Sequence, residues 1–289
     1  MSVDIYRGTT NVVLPEEVSA EIWSATIEGS AFMSAARHIS IPGSGVKVQT
    51  ITGEPVANWV DETAAKPVSK HTLGKKTIVP FKLAVIEAFS QEFARDANAL
   101  YAELVRRLPM ALDAKFDSTI MGSTAPGTGF DVLGSCTAVS LTPSGSATVY
   151  DQILTVDGNI ATAGGIMDHI ILAPQGRAKV LGAVDGNGHP LFTAGVQTGT
   201  ISPILGAEVS TSKHVYVDAD TDIYGIAGDF TKAVCGTVEG VKIAISDQAT
   251  LTSGNTTINL WQQNMFAVRA EVEVAFAVEG TGYFNLLTA

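Results

Sequence analysis

MFAVRAEVEVAFAV, residues 265–278, alternates side chains without a break. Phe266, Val268, Ala270, Val272, Val274, Phe276 and Val278 fall on one face, and Arg269, Glu271 and Glu273 on the other. A period of two is the pattern of a strand with one face against a core. Extended, the stretch would cover roughly 45 Å, more than most strands of globular proteins. A second elongated stretch suits it as a partner: SQEFARDANALYAELVRRLPMALDAKFDSTIMG, residues 90–122. There Phe93, Ala97, Leu100, Leu104, Leu108, Leu112, Phe116 and Ile120 recur at steps of three and four. Such spacing places them on one side of a helix, with Glu92, Asp96, Glu103, Arg106 and Asp113 turned away. From Asp96 as N-cap to Gly122 as stop, the helix would span roughly 35–40 Å. Pro109, which lacks an N–H, is expected to kink it. A long helix on a long strand describes a flat, elongated subunit rather than a compact enzyme.

The chain's 289 residues suffice for a substantial core in one large domain or two. It is 46% hydrophobic and only 16% charged, which leaves little charge to cover a monomer and points to surface buried in an oligomer. A net charge of −11 argues against coating nucleic acid by phosphate neutralisation. Half of the 18 basic residues lie between Lys66 and Lys115. Cys136 and Cys235 form no CxxC, so a reducing compartment fits better than a disulfide framework. The first residues lack an apolar core of signal-peptide length, and no segment approaches 18 uninterrupted apolar residues. Synthesis in the cytosol and no membrane span are the expectation.

Along the chain, an irregular start leads to PEEVSAEIWSATIEGSAF, a short amphipathic helix with Val18, Ile22 and Trp23 as its apolar side. Two strands follow from Ile39, the second carrying Val79, Phe81, Leu83 and Val85 in alternation. Between them stands a tip with Asp61 and Glu62, then Lys66, Lys70, Lys75 and Lys76. This reads as a two-stranded arm that needs another subunit to lie on, because an isolated hairpin is marginal. GSTAPGTGFDVLGS marks a crossing into a mixed segment. In it, TVYDQILTVDGNIATAG suggests a helix, DHIILAPQGRAKVLGAVD suggests a buried strand, IIL, followed by a helix, and 223–245 reads as a run of strands.

The order of DGNGHPLF (185–192), PILGAEV (203–209), GDF (228–230), SDQAT (246–250) and NLWQQNMFAVRAEVEVAFAV (259–278) resembles the major capsid proteins of tailed bacteriophages, the Hong Kong 97-type fold. Upstream, Trp59-Val60-Asp61-Glu62 with the following lysines resembles that family's extended loop, and residues 90–122 its spine helix. The resemblance implies an α+β subunit in four parts. These are an N-terminal arm (1–40), an extended loop (41–82), a peripheral domain with spine helix and long strand (83–122 and 238–279), and an axial domain (123–237 and 280–289). It implies a shell protein without catalysis or cofactor, meeting its own copies in hexamers and pentamers and enclosing DNA without sequence-specific contacts. A separate scaffolding protein, a portal and cement proteins are the further partners, with assembly in the bacterial cytoplasm and final location in the virion. Encapsulins, cellular shells with enzyme cargo, share the fold and are the alternative; a soluble oligomeric enzyme is the other. Some relatives join lysine to asparagine covalently; Lys66, Lys70, Lys75 or Lys76 would supply the amine and Asn255, Asn259 or Asn264 the amide.

The candidate inter-subunit contacts are Trp59, Asp61, Glu62, Lys66 and Lys70 on the arm, Arg106 and Arg107 on the helix, and Trp23. Trp261 reads as core. Other chemistry finds little support. The five histidines are scattered without HxH or HExxH, and no GxSxG elbow is present. Asp218, Asp220 and Asp222 resemble the start of a calcium loop, but Ile223 stands where a glycine is required and Asp229 where a glutamate is. A solvated acidic turn is the simpler expectation.

Overall fold

The computed structural model describes residues 29–53, 55–63, 65–96, 98–142, 147–184, 189–192, 201–253 and 256–289. The amphipathic helix with Trp23 lies outside the described residues.

The first sheet is built around strand β13, Met265–Val278. On one edge β4, Phe81–Ser90, pairs antiparallel with Met265–Val274. On the other edge β10, Lys242–Ser246, pairs with Ala267–Glu271, and β9, Ala233–Thr237, pairs with Val274–Val278. Strand β1, Arg37–Ser40, runs parallel to β9. The alternation expected of β13 holds: Val268, Ala270, Val272, Val274, Phe276 and Val278 are buried, and Arg269 is exposed. The opposite face is also covered at both ends, where Ala267 and Ala275 join small cores of their own.

The helical stretch begins earlier than its pattern suggests. Helix α2, Gln91–Asp96, precedes α3, Asn98–Met121, which runs through Pro109. Gly122 ends it as expected, its N–H donating to the Ser118 carbonyl. Val105, Leu108, Leu112, Phe116 and Ile120 share one core with the apolar face of β13. Asp113 departs from the expectation. It is buried, because the residues around Gly29 cover that side of the helix.

A second sheet has the order β5 (Thr137–Ser140), β14 (Phe284–Thr288), β8 (Ile223–Gly228), β6 (His169–Leu172) and β7 (Glu208–Thr211). One face packs on α4, Val149–Thr162, and α5, Pro174–Leu181, through Ile153, Val156, Ile160 and Val180. Thr148 and Asp151 close the start of α4 reciprocally, each side chain accepting from the other's backbone N–H. The other face joins the β13 core through a row of rings. Phe276 contacts Phe32 on α1, Ala31–Ala35; Phe32 contacts Phe230, and Phe230 contacts Phe284 at 5.4 Å.

Phe276 is fully buried and also meets Phe116 and Phe130. Phe276→Ala should therefore cost about 3–5 kcal/mol, the range for emptying an aromatic site in a core. Urea denaturation of the free subunit measures it; a loss below about 1 kcal/mol would contradict this packing.

Candidate functional site

Strands β2, Val46–Gly53, and β3, Thr72–Ile78, pair antiparallel to form the expected arm. Beyond Gly53 the described residues 55–63 and 65–71 form no helix or strand and are all exposed. The Val56 N–H donates to Ser69 Oγ at 2.8 Å and joins its two sides. Apolar side chains stand on it in the open: Trp59 and Val68 fully exposed, with Val56 and Leu73 two-thirds exposed. The sequence reading saw the charge and Trp59 but missed Val56, Val68 and Leu73; a polar tip hid their number. Asp61 and Glu62 lie at the turn, followed by Lys66 and Lys70, all exposed.

Lys75 and Lys76 are not tip residues. They sit within β3, opposite Gln49 and Val48. Lys76 turns into the protein, where its Nζ meets Asp131 Oδ2 at 2.5 Å and donates to the Val278 carbonyl. Asp131 in turn accepts from the Val278 N–H at 2.8 Å, and its own N–H donates to the Phe276 carbonyl. Ile78 is buried beside Ile41, Ala275 and Ala277. The Val79 N–H donates to the Gly129 carbonyl, and Gly129 has φ +94 with Val79 pressed against it, a position closed to larger residues. Pro80 separates β3 from β4, which explains why the alternation through Val79 and Phe81 is not one strand. The arm thus has a fixed base and an exposed end.

Arg106 and Arg107 are exposed on α3, on a separate element from the arm. Trp261 corrects the expectation of a core residue: it is 71% exposed, on the turn Leu260–Asn264 before β13. Its apolar neighbours in sequence, Leu260 and Met265, fill the local core instead. Among the described residues no group of three His, Cys, Asp or Glu could hold a metal ion, and no helix is long and apolar enough to cross a membrane. Asp218 and Asp220 are exposed on a turn closed by the Val217–Ile223 bridge. Both cysteines are free and buried, and burial pushes the Cys136 thiol up to about 12.

Two sheets that share a core thus carry an arm with an anchored base and exposed apolar side chains. The model of the phage capsid family matches residues 10–288. The chain belongs to that family. Within the phage capsid family it is 30% identical over 292 residues to the probable major capsid protein gp17 of Mycobacterium phage L5, covering 95% of this chain and 89% of that one. Its fold matches solved chains from Mycobacterium phage Bobi, with a TM-score of 0.75 at 20% identity, and Mycobacterium phage Cain, with 0.74 at 23%. Each match covers 90% of both chains. The architecture is the α+β Hong Kong 97-type capsid fold that the order of motifs resembles.

The Lys76 anchor generates a test of the arm's base. Lys76→Met keeps the aliphatic stem but leaves Asp131 without its cation. Hydrogen bonds to charged groups contribute about 1.5–3 kcal/mol, so amides of β2 and β3 should exchange at least about tenfold faster, while amides shared by β4 and β13 keep their protection. Equal rates in parent and variant would remove the anchoring role.

Proposed function

We infer that this chain is the major shell subunit of a tailed bacteriophage, its copies closing into an icosahedral capsid around double-stranded DNA. The observation that carries the reading is the arm: a fixed base, and an end whose apolar side chains Val56, Trp59, Val68 and Leu73 stand exposed. Burying a valine fully contributes about 1.5–3 kcal/mol, and Trp59 supplies a larger surface with the amphipathic character of an interface anchor. Repetition around a closed assembly multiplies such terms, because every copy donates one arm and receives another. No step in this role requires catalysis or a cofactor.

The sheet of β13 and β4 with α3 corresponds to the peripheral half, 83–122 and 238–279. The sheet of β14, β8 and β6 corresponds to the axial half, 123–237 and 280–289, whose copies meet around hexamer and pentamer axes. Strand β9 is the exception to this boundary, since it bonds to β13. Scaffolding, portal and cement proteins are the further partners, and the net charge of −11 favours DNA held without tight attachment to the wall. Assembly takes place in the bacterial cytoplasm and the product is the virion.

For register between copies we propose that Glu62 of one arm meets Arg106 or Arg107 of the next subunit, because an arginine fork holds a carboxylate in one geometry. Glu62→Lys should raise the protein concentration needed for assembly about tenfold, equivalent to about 1.4 kcal/mol per subunit, without changing the melting temperature of the free subunit. Arg106→Glu or Arg107→Glu in that background should restore part of it. Replacing 55–71 by a short Gly-Ser turn should leave a folded subunit unable to form shells, as seen by sedimentation velocity and negative-stain microscopy. Normal particles from the deletion would refute the role of the arm; unchanged assembly of Glu62→Lys at all salt concentrations would refute the charge register alone.

A further inference from the structure

Asp113 and Asp117 stand one helical turn apart on α3 and are both buried, 3% and 0% exposed. Buried carboxylates ordinarily pair with a cation. Here the pair faces the segment through which the amino-terminal part of the chain enters the fold. Ser30 Oγ donates to Asp117 Oδ1 at 2.6 Å, and the Ala31 N–H donates to Oδ2 at 3.0 Å. Asp117 therefore satisfies donors at the start of α1 from a remote part of the chain. Asp113 lies against Gly29, where a Cβ would come within 2.2 Å of Oδ2, and its Oδ1 has no hydrogen-bond partner.

Among the described residues, the other buried side-chain atoms without a partner are His169 Nε2 and Ser210 Oγ; Ser210 borders the same segment, and His169 stands one ring away from it. Ser210 lines a cavity of about 300 Å³ with Gly29, Ala31 and Ser34. His169 packs edge-on against Phe230, which touches Phe32. Native interiors leave few such atoms unsatisfied, and two of these three, on Asp113 and Ser210, lie at this joint.

We propose that residues 29–35 are held on α3 by a proton-operated latch: the segment stays docked while at least one of Asp113 and Asp117 is protonated, and releases when both are ionised. Two carboxylates one turn apart, with an apolar core beneath them, repel once both are charged. Burial pushes Asp113 up to about 8, the neighbouring Asp117 adding to the rise. Burial also pushes Asp117 up to about 6, against the hydrogen bonds from Ser30, Ala31 and Phe32. Both values lie above the ordinary carboxylate value of 3.8, so the docked state binds more protons than the released one. Docking through this pair is then strongest at low pH and is lost as pH rises through about 6 and about 8.

His38, bonded to the Met33 backbone, pulls the other way at low pH. Burial holds it below its ordinary value of 6.5, so its contribution to docking is present above 6.5 and is lost as pH falls. That leaves the fall between 6.5 and about 8 to the carboxylates. The Cys235 thiol of β9 is pushed far up by burial and by Asp117, and so stays neutral. The 3-10 turn Lys213–Val215 packs on α3 and brings Lys213 and His214 to the cavity wall. Burial and Lys213 hold His214 below its ordinary value, so that turn gains no second cation as the pair ionises.

Hydrogen–deuterium exchange of the full chain from pH 5 to 9, corrected for intrinsic chemical exchange, reads the latch at Met33, Ser34 and Ala36, whose N–H groups bond within the segment. Their protection should fall about tenfold per pH unit between 6.5 and about 8, while β13 amides keep theirs. Asp113→Asn should remove most of the fall. Protection that stays flat, that falls in parallel with β13, or that falls equally in Asp113→Asn overturns the proposal. If Asp113→Asn does not fold, the comparison of the two sets of amides in the parent chain decides.

Discussion

Strand β13, the longest strand among the described residues, is paired along one edge over Met265–Val274 and along the other over Ala267–Glu271 and Val274–Val278. Val274 marks the handover, paired with Phe81 on one side and Thr237 on the other. A backbone so engaged cannot shift by a residue without exchanging its core face for its solvent face along the whole run. Helix α3 lies on the apolar face, and β4 carries the chain from the arm into the sheet. On the outer face Lys82 stands 3.7 Å from Glu271 and 3.3 Å from Glu273, and Arg269 reaches Glu271 at 3.5 Å. Exposed pairs of this kind add little stability; they keep that face wet and mark which side of the strand is which.

The two sheets do not have separate cores. Phe276, Phe32, Phe230 and Phe284 run as a row from one to the other. Phe32 is the middle link, and it comes from the short helix α1 rather than from either sheet. The packing between the halves of the subunit is thus supplied by a third segment. The same short stretch meets Asp117 through its backbone, so apolar and polar contacts with opposite needs share it.

Much of this was legible in the sequence because period carries it. The alternation of 265–278 gave the strand, and the three–four spacing gave the helix face at Leu108, Leu112, Phe116 and Ile120. Period fails where a second layer arrives from elsewhere in the chain. Asp113 sits on the side of α3 that its own helix assigns to water, and only the approach of Gly29 buries it. Lys76 looked like one more lysine of a basic tip, yet its register opposite Val48 aims it at Asp131. Trp261 failed for the converse reason: large and apolar, it suggested a core, but the turn had already filled its own with Leu260 and Met265. Among the contact candidates, the exposure of Trp59, Glu62 and Lys66 followed from the absence of apolar period around them, whereas Val56 and Val68 gave no local signal at all.

The anchored base of the arm has a mechanical consequence. From Lys76 back to Thr72 there are four steps of about 3.3 Å, so the paired portion extends roughly 13 Å from the Lys76–Asp131 contact. It is a lever, and a rotation of about 10° at the fulcrum carries the end of the pairing through roughly 2 Å. Side-chain adjustments of a few tenths of an ångström among Lys76, Asp131 and Val79 are therefore read out further along the arm as displacements several times larger. A chain that yields at that one point can offer the end of its arm at more than one angle while its core stays unchanged.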